Sequence, residues 1–418
     1  MKKVLILCDL FPPAFGPRMG YLCKYLSHSD SDWKPVVVTE KVDSCNFQLL
    51  ENICEVHEVN FYTSKNSFCR QLQWLCIQIV SLFFDYKNYK IKKKAESVIA
   101  QGGFDLILCS SYRTFPLPAA EQLAEQYKIP FIADLRDIIE QYTGDEFISH
   151  SIPNIPFLKR WIVNRFREKS LKSRNRILKK AACVTTVSEW HKEWLKQFNP
   201  NVYLIYNGYD PELFYPEKVQ TDKFIITYTG RLLSLSMRDP SLLFLGLKEL
   251  TAKGVVNPDF CRIRWYVDGD SWNMITAEAD KYGVSDYMEM KGFVPASEIP
   301  RLLNSSSVLL ILTNKSTGNG PKGVMTTKLF ESLAVGKPIL CIRNDEGVLE
   351  KTLIETRAGV AASNVDDVCS FLNDALLQWQ KDGYTSSAIR TETIEQYSRK
   401  GQAQQFIQLF NRYKSSSL

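Results

Sequence analysis

The chain has 418 residues, of which 45% are hydrophobic and 23% are charged, and its formal net charge is +6. This length exceeds what one compact core usually holds, so it favours two or three domains. The composition is that of a globular protein and excludes fibrous and intrinsically disordered classes. The eleven cysteines show no CxxC spacing, which favours reduced thiols in a cytoplasmic protein over a disulfide scaffold.

Two apolar segments bear on whether the chain contains a signal peptide or a transmembrane helix. The run that starts at Met1 ends at Asp9, and no small-residue cleavage site follows it, so a buried strand is the better interpretation. Residues 72–84 include Gln73 and Gln78 and are too few to span a bilayer. We therefore predict neither a signal peptide nor a transmembrane helix.

In the first half, short apolar runs alternate with segments of helical periodicity. Strands are predicted at 4–8, 35–39, 105–110, 130–134, 183–188 and 202–206, and helices at 20–27, 69–84, 86–101, 119–127 and 161–180. This alternation predicts βα units around a parallel sheet.

Turn residues at 207–211 interrupt this pattern, and a second βα series follows them. Its strands are predicted at 224–228, 263–267, 287–291, 308–312, 338–342 and 359–361. We therefore expect two doubly wound α/β domains. Because ligands bind at the carboxyl ends of parallel strands, two such domains facing each other would enclose a cleft lined by loops.

The first strand is followed by Pro12-Pro13 and then by Gly16 and Arg18. A stiff turn, a glycine and a helix start can bring backbone close to a ligand, and Arg18 would reach into the cleft. A plain loop is the alternative. The segment has no GxGxxG fingerprint, so a dinucleotide cofactor is not expected.

Polar residues also follow two later strands of the first half. Arg113 stands among hydroxyl residues that suit acceptor or phosphate contacts. Asp134 and Asp137 flank Arg136, and the three either form a local salt bridge or contact sugar hydroxyls, with a carboxylate assisting proton transfer.

In the second half, Gly230 allows a sharp turn after a strand, and Arg231 and Arg238 follow it. Two guanidinium groups here would neutralise a diphosphate, and Arg231 is the stronger candidate of the two; a surface role is the alternative for either. The Asp268-Gly269-Asp270 run resembles a metal-binding DxD, but no third carboxylate lies nearby in the sequence, so no metal is expected.

The segment 326–340 predicts a short helix that ends at Gly336 before a buried strand. Lys328 and Glu331 lie on this helix, and a glycine-rich run at 318–323 precedes it. Backbone N–H groups leading into a helix N-terminus suit phosphate, although the same pattern occurs in α/β proteins that bind nothing.

Two further features bear on the class of protein. None of the four histidines adjoins a nucleophile motif, which argues against a hydrolase triad and a zinc site.

Residues 159–180 hold ten Lys or Arg against Glu168 alone. This basic run is a solvated helix face, an attraction to an anionic membrane leaflet or, least supported, a nucleic-acid contact.

Taken together, these motifs resemble the GT-B retaining nucleotide-sugar glycosyltransferases of family four. The residues that carry the resemblance are Val184-Thr185-Thr186-Val187-Ser188, Asn207-Gly208-Tyr209-Asp210 with Phe214 and Pro216, Thr229-Gly230-Arg231-Leu232, Gly292-Phe293-Val294, and Lys328-Leu329-Phe330-Glu331 with Ala334, Gly336, Lys337 and Pro338. The resemblance implies an N-terminal acceptor domain at 1–206, a nucleotide-sugar domain at 207–396, and a last helix, 397–418, that crosses back to the first domain.

In that family two glutamates with seven residues between them serve the donor, and the later one binds the nucleotide ribose. Glu331 takes this role by resemblance, whereas the earlier position holds Gly323. Backbone N–H groups from Gly320 to Thr327 would then contact the sugar, and Lys328 would contact phosphate. The alternative is a different donor or lost activity.

The resemblance implies transfer of a sugar from a nucleoside diphosphate sugar to an acceptor hydroxyl with retention, without a metal or another cofactor. The expected catalytic residues are Arg231, Lys328 and Asp134; the donor-binding residues are Gly16, Arg18, Gly230, Arg238, Gly320, Gly323, Thr327 and Glu331; the acceptor-binding residues are Arg113, Arg136 and Asp137. A saccharide or lipid-linked saccharide acceptor, surface polysaccharide or glycolipid assembly, and a cytoplasmic location with peripheral membrane contact are expected, and nucleic acid is not. An inactive nucleotide-sugar-binding protein and a nucleotide-sugar 2-epimerase remain alternatives.

Overall fold

The structure is a computed structural model, and it describes residues 1–28, 31–62, 64, 66–111, 114–142, 147, 156–313 and 325–415. Contacts between Cα atoms divide the chain into two compact units. The first unit comprises Met1–Tyr206 and Gln402–Leu418, and the second comprises Asn207–Gly401.

The first unit is built around a seven-stranded sheet in which every pairing is parallel. Its strands are β1 (Lys2–Cys8), β2 (Trp33–Glu40), β3 (Glu55–Val59), β4 (Leu106–Ser111), β5 (Phe131–Leu135), β6 (Cys183–Thr186) and β7 (Val202–Leu204). The helices are α1 (Pro17–His28), α2 (Ser67–Phe83), α3 (Tyr86–Ile99), α4 (Leu117–Tyr127), α5 (Pro156–Leu178) and α6 (Glu189–Leu195). The strand order β3-β2-β1-β4-β5-β6-β7 reverses direction between β1 and β4, where α/β sheets open a crevice for ligands.

The central strands of this sheet are buried because helices cover both of its faces. All six residues of β4 and all five of β5 are buried, as continuous apolar runs predict for a parallel sheet. Two hydrophobic clusters, one on each face, contain alternate residues of β1: Leu5 and Leu7 belong to one, Val4 and Ile6 to the other.

The final helix, α14 (Arg399–Tyr413), contributes its later residues to the first unit. Ala403, Phe406 and Phe410 are buried in the cluster that contains Val4 and Ile6. The ring of Phe410 lies 5.2 Å from that of Trp33, edge to face. Aromatic burial of this kind fixes the C-terminal segment on the first unit.

The second unit contains a six-stranded sheet of order β10-β9-β8-β11-β12-β13, also parallel throughout. Its strands are β8 (Phe224–Thr229), β9 (Cys261–Tyr266), β10 (Met288–Lys291), β11 (Val308–Leu312), β12 (Ile339–Ile342) and β13 (Gly359–Ala362). Its helices are α7 (Ser241–Ala252), α8 (Gly269–Tyr282), α9 (Ile299–Asn304), α10 (Thr327–Val335), α11 (Val348–Thr356), α12 (Val365–Asp382) and α13 (Thr391–Ile394).

These two parallel sheets confirm the predicted fold class. Strand β11 has the predicted bounds, and most other strands differ by one or two residues at an end. Strand β3 was missed because it lies at the sheet edge and reads Glu55-Val56-His57-Glu58-Val59, in which only Val59 is buried. An edge strand with one solvated face lacks the apolar run that identified the others.

Candidate functional sites

The turn after β8 brings the side chain of Lys328 against the backbone of Gly230. Gly230 has a φ of +105°, which L side chains rarely adopt, and a Cβ built on it would lie 2.1 Å from Lys328 Nζ. Glycine is therefore required here both for the turn and for the space that the lysine fills.

Lys328 lies half-buried without a carboxylate partner among the described residues. Its Nζ is 3.4 Å from Tyr228 Oη and 4.8 Å from the centroid of the Tyr228 ring. Burial, together with the charge of Arg238, lowers the pKa of Lys328 to about 7, although Glu331 acts in the opposite direction. The ammonium group thus lacks the countercharge that a phosphate would supply.

Glu331 follows Lys328 by three residues on α10, so the two side chains share one helix face. Burial raises the pKa of Glu331 to about 7, and the charges of Arg399 and Lys328 reduce this shift. In the described part of the chain no group donates a hydrogen bond to this carboxylate. A half-buried acceptor of this kind is suited to a hydroxyl group of a ligand.

Arg231 and Arg238 meet at the same turn. Arg231 Nε is 3.1 Å from Asp268 Oδ2, while its side chain is 67% exposed. Arg238 Nη1 donates to the carbonyl oxygen of Arg231, and Tyr228 Oη donates to the same oxygen at 3.0 Å. Arg238 therefore braces the turn, whereas Arg231 extends from it.

Asp268 caps α8 by accepting a hydrogen bond from Ser271 N at 3.0 Å. The hydrogen bonds from Ser271 and the charge of Arg231 lower the pKa of Asp268. The first carboxylate of the DxD-like run is thus a helix cap that also holds Arg231. Among the described residues, no group of three or more His, Cys, Asp or Glu side chains is placed to hold a metal ion.

The start of α10 is described only in part. Thr327 is the first residue of the helix and is half-buried, and the preceding Thr326 makes no side-chain capping hydrogen bond. Gly320 and Gly323 lie outside the described residues, as does Arg113 in the first unit.

In the first unit, the carboxylate of Asp134 links four elements. Its carboxylate accepts from Arg18 Nη2 at 3.0 Å, from Ser110 Oγ at 2.9 Å and from Thr185 Oγ1 at 2.8 Å. Arg18 also donates to the carbonyl oxygens of Ile205 and Tyr206. Both side chains of the pair are almost fully buried.

Both residues therefore have a structural task. Asp134 as a catalytic group and Arg18 as a donor contact stay predictions, and in the structure both side chains hold α1 to the strand ends of the sheet. Gly16 has a φ of +81°, and a Cβ on it would lie 2.3 Å from the carbonyl oxygen of Leu10. Its backbone conformation therefore serves the turn before α1.

Arg136 and Asp137 follow β5 at the carboxyl edge of the first sheet. Arg136 Nη2 donates to Asp9 Oδ1 at 2.8 Å, and its Nε is buried without a hydrogen-bond partner among the described residues. Asp137 Oδ1 accepts from Gln141 Nε2 at 2.9 Å, and burial raises the pKa of Asp137. Of the predicted acceptor residues, Arg136 and Asp137 thus lie side by side at this edge, and Arg136 is paired with Asp9.

Sequence reasoning missed three residues of these sites. Tyr228 is the last residue of the strand predicted at 224–228, and the sequence assigned it no role in the site. Arg399, which lowers the pKa of Glu331, lies 68 positions further along the chain and has no local signal. His191 was set aside because no nucleophile adjoins it; its Nε2 lies 2.8 Å from Gln141 Oε1.

Solved structures of low sequence identity share this fold along almost the whole chain. HepE of Anabaena, solved with UDP, is 15% identical over 99% of this chain and 100% of its own, with a TM-score of 0.64. Sucrose-phosphate synthase of Thermosynechococcus elongatus is 15% identical over 99% of each chain, with a TM-score of 0.62. A glycosyltransferase of Rickettsia africae is 15% identical over 99% of this chain and 98% of its own, with a TM-score of 0.64.

The sequence model of Glycosyltransferase Family 4 matches residues 54–213, which is less than half of the chain. The fold is GT-B, and residues 54–213 are similar in sequence to glycosyltransferase family 4. No curated protein sequence gives a significant match. In this GT-B protein, the described residues include no helix with the length and apolar composition needed to cross a bilayer.

Proposed function

We propose that this GT-B protein transfers a sugar from a nucleoside diphosphate sugar to a hydroxyl group of an acceptor, as a retaining, metal-independent hexosyltransferase. The observation that carries the proposal is the pair Lys328 and Glu331 on one face of α10. One is a cation without a counterion and the other an acceptor without a donor among the described residues. A nucleoside diphosphate supplies both, because it carries a diphosphate and ribose hydroxyls.

The second unit would bind the donor. Lys328 and Arg231 contact the diphosphate, Arg238 adds positive charge while holding the turn, and Glu331 accepts a hydrogen bond from the ribose. The glycine-rich segment before α10 contributes backbone N–H groups to the sugar and phosphate. HepE, which shares the fold, was solved with UDP and with UDP-glucose, and this supports a nucleotide-sugar donor here.

The chemistry proposed is a front-face displacement. The bond between the anomeric carbon and the phosphate oxygen breaks, and its electron pair stays on the β-phosphate. The acceptor oxygen forms its bond on the same face, and its proton passes to the departing phosphate. The protein holds the reactants and neutralises the leaving diphosphate with Lys328, Arg231 and Arg238, so no separate general base is required.

A 2-epimerase is less well supported than a transferase. The second unit, residues 207–401, contains no histidine in its sequence, and three cations, Lys328, Arg231 and Arg238, lie at the Gly230 turn, where they suit a leaving diphosphate. An inactive nucleotide-sugar-binding protein would show the same binding without turnover. A measurement of turnover therefore distinguishes a transferase from an inactive binding protein.

The test is nucleoside diphosphate release from a panel of UDP-, GDP-, ADP-, CDP- and dTDP-sugars, with and without saccharide acceptors. Proton NMR of the product reports the anomeric configuration, and EDTA tests the metal requirement. We expect release with one donor, retention of configuration and no effect of EDTA. Tight binding without release or transfer would contradict the transferase, and an inverted product would contradict retention.

The Glu331→Gln and Lys328→Met variants should lower this turnover. A matched pair of controls is offered by α11, where Lys351 and Glu355 are exposed and form an ordinary i, i+4 ion pair at 3.7 Å. Lys351→Met and Glu355→Gln carry the same chemical changes on another helix of the same unit. They should leave turnover unchanged.

We further propose that the first unit contacts an anionic membrane through α5, in keeping with a lipid-linked acceptor in surface polysaccharide or glycolipid assembly and a peripheral cytoplasmic location. Part of the basic run serves the fold, because Arg174 pairs with Glu140 and Arg176 with Glu121. Four other cations of α5, Arg160, Arg165, Lys169 and Lys172, are exposed. Phe157 is 86% and Trp161 61% exposed on the same helix.

Exposed aromatic and basic side chains on one helix suit the interface of an anionic leaflet. The test is cosedimentation with phosphatidylglycerol vesicles and with neutral phosphatidylcholine vesicles. The triple variant Arg160→Gln, Lys169→Gln, Lys172→Gln should lose binding to the anionic vesicles. Neutralising three exposed lysines of the second unit, Lys248, Lys253 and Lys281, is the control, and equal binding by both variants would contradict the membrane proposal.

A further inference from the structure

A chain of three polar side chains runs from the interior of the first unit to the carboxyl edge of its sheet. His191 Nε2 lies 2.8 Å from Gln141 Oε1, and Gln141 Nε2 donates to Asp137 Oδ1 at 2.9 Å. The three residues come from α6, from a short 3₁₀ turn (Ile139–Gln141) and from the loop after β5. They therefore link the ends of two neighbouring strands, β5 and β6.

The direction of these hydrogen bonds follows from the chemistry of the groups. An ionised carboxylate can only accept, so the amide nitrogen of Gln141 faces Asp137 and its oxygen faces His191. The imidazole must then carry its proton on Nε2. Burial lowers the pKa of His191 to about 4, which keeps the ring neutral at physiological pH and preserves this tautomer.

His191 is held firmly in this position. It is fully buried, and its backbone N–H donates to Ser188 Oγ, the N-cap of α6, at 3.1 Å. Its Nδ1 atom is buried and has no hydrogen-bond partner in the part of the chain that is described. A buried acceptor without a partner is unfavourable, so the Nδ1 atom contributes no stability that an apolar atom in its place could not.

Asp137 is the end of this chain that a ligand can reach. Its Oδ1 is held by Gln141, whereas no described residue pairs with its Oδ2, and the residue is only half-buried. It lies beside Arg136, whose own charge is matched by Asp9 at 2.8 Å. Oδ2 is therefore a positioned hydrogen-bond acceptor at the edge where α/β sheets bind ligands.

The charges around Asp137 select the type of ligand. Among the described residues, the carboxylates of Asp9, Asp134 and Asp137 outnumber the guanidinium groups of Arg18 and Arg136. This excess of carboxylates repels a diphosphate but suits a neutral, hydroxyl-rich molecule, since hydroxyl groups donate to carboxylates.

We infer that Asp137 binds a hydroxyl group of a saccharide acceptor and that His191 and Gln141 are positioning residues that hold its carboxylate in the binding orientation. This inference rests on the proposed transferase function and adds to it the two residues behind the acceptor contact. Neither positioning residue touches the acceptor in this account. Each acts by fixing the rotamer of Asp137.

The experiment measures acceptor KM, kcat and donor Kd for three variants. Octyl glucoside, octyl galactoside, octyl mannoside and octyl N-acetylglucosaminide are the acceptor probes, used with the donor that the wild type consumes fastest. Asp137→Asn and Gln141→Leu should raise acceptor KM by about tenfold or more, because each removes a charge-assisted or buried hydrogen bond. Donor Kd, measured by calorimetry, should stay within about twofold because the donor residues lie in the second unit.

His191 is tested with two substitutions. The amide nitrogen of His191→Gln can replace Nε2–H, whereas His191→Phe keeps the volume without a donor. The glutamine variant should retain an acceptor KM close to that of the wild type, and the phenylalanine variant should resemble Gln141→Leu. If His191→Phe does not fold, Gln141→Leu is the variant on which the test depends. Gln141 is only half-buried, so its substitution should be better tolerated. His57→Phe, which removes the contact between His57 and Glu55 on the edge strand, is the control.

The outcomes separate this inference from the transferase proposal. Absence of both donor binding and turnover in the wild type would overturn the transferase and the inference with it. With donor binding intact, an unchanged acceptor KM in Asp137→Asn and Gln141→Leu would overturn the inference alone. So would equal effects of His191→Gln and His191→Phe, or failure of every octyl glycoside to raise the rate of donor consumption above that in water.

Discussion

The ammonium group of Lys328 occupies the space that a side chain on residue 230 would need. A Cβ on Gly230 would lie 2.1 Å from Lys328 Nζ and 2.4 Å from its Cε. The pair explains why a glycine and a lysine nearly one hundred positions apart belong to the same proposed site. It also makes the glycine a means of displacing the lysine without changing its chemistry.

The Gly230→Ala variant should weaken nucleoside diphosphate binding by about tenfold or more, because the loss or displacement of a charge-assisted contact costs about 1.5–3 kcal/mol. Gly254 offers a matched control, since its φ is also positive, at +69°, but a Cβ there would meet no atom within 4 Å. Both variants should lose some thermal stability from backbone strain, and only Gly230→Ala should lose affinity. Equal affinities would show that Lys328 does not contact the ligand.

Proton uptake on binding follows from the lowered pKa of Lys328, about 7. At pH 8.5 most of the free protein holds this lysine neutral, and a bound diphosphate would favour its charged form. Calorimetry in two buffers of different ionisation enthalpy should therefore show uptake of about one proton on binding. Lys328→Met should abolish this uptake, and wild-type binding without any proton exchange would contradict the assignment.

Glu331 sets the other side of the pH profile. Its pKa is raised to about 7, so the carboxylate becomes protonated as the pH falls below that value. Since a neutral acid is a weaker acceptor than a carboxylate, donor affinity should fall between pH 7 and pH 5.5. Glu331→Gln should bind weakly and without this acid dependence. An affinity that is independent of pH in both proteins would argue against a ribose contact.

Removing the buried charge of Lys328 should stabilise the free protein. Its pKa is lower in the folded chain than in the unfolded chain, so the unfolded state binds more protons between about pH 7 and pH 10.5. The group therefore destabilises the fold most below pH 7, and its cost decreases as the pH rises through that window. Lys328→Met should raise Tm by about 2–4 °C at pH 7, in line with about 1 kcal/mol, and less at pH 10. A lower Tm at pH 7 would contradict this.

Asp134 is expected to act on stability rather than on donor binding. Asp134→Ala would leave Arg18 buried without its carboxylate, which typically costs about 3–5 kcal/mol. Chemical denaturation should show that loss in the first unit, while calorimetry at low temperature should show unchanged affinity for nucleoside diphosphates. Asp43→Asn is the control, because that carboxylate is 70% exposed. A stable Asp134→Ala variant without turnover would instead support the catalytic role predicted for Asp134.

The sequence predicts the fold through its apolar strand runs, and these are strong wherever a strand is buried on both faces. The run at β11, Val308–Leu312, is buried throughout, and its bounds were predicted correctly. Strand β3 lacks such a run because solvent covers one of its faces. Burial of a strand on both faces therefore determined whether it could be predicted.

The candidate site was predictable only where its residues share a local motif. Lys328 and Glu331 lie on one helix, so their spacing alone places them on one face. Arg399 and Tyr228 join them through the tertiary fold, and no spacing in the sequence reports that contact. In the sequence, Asp134 and Arg136 are both polar residues at a strand end. Only the structure shows that Asp134 is buried and hydrogen-bonded to three side chains, whereas Arg136 is half-buried.

In the proposed function, the second unit binds a nucleoside diphosphate through Lys328 and Glu331. The decisive experiment is isothermal titration of UDP, GDP, ADP, CDP and dTDP into the wild type, Lys328→Met, Glu331→Gln and the α11 control Lys351→Met. We expect one nucleotide to bind the wild type and the control equally and to bind both α10 variants about tenfold more weakly or worse. Binding of none of the five, or equal binding by all four proteins, would contradict it.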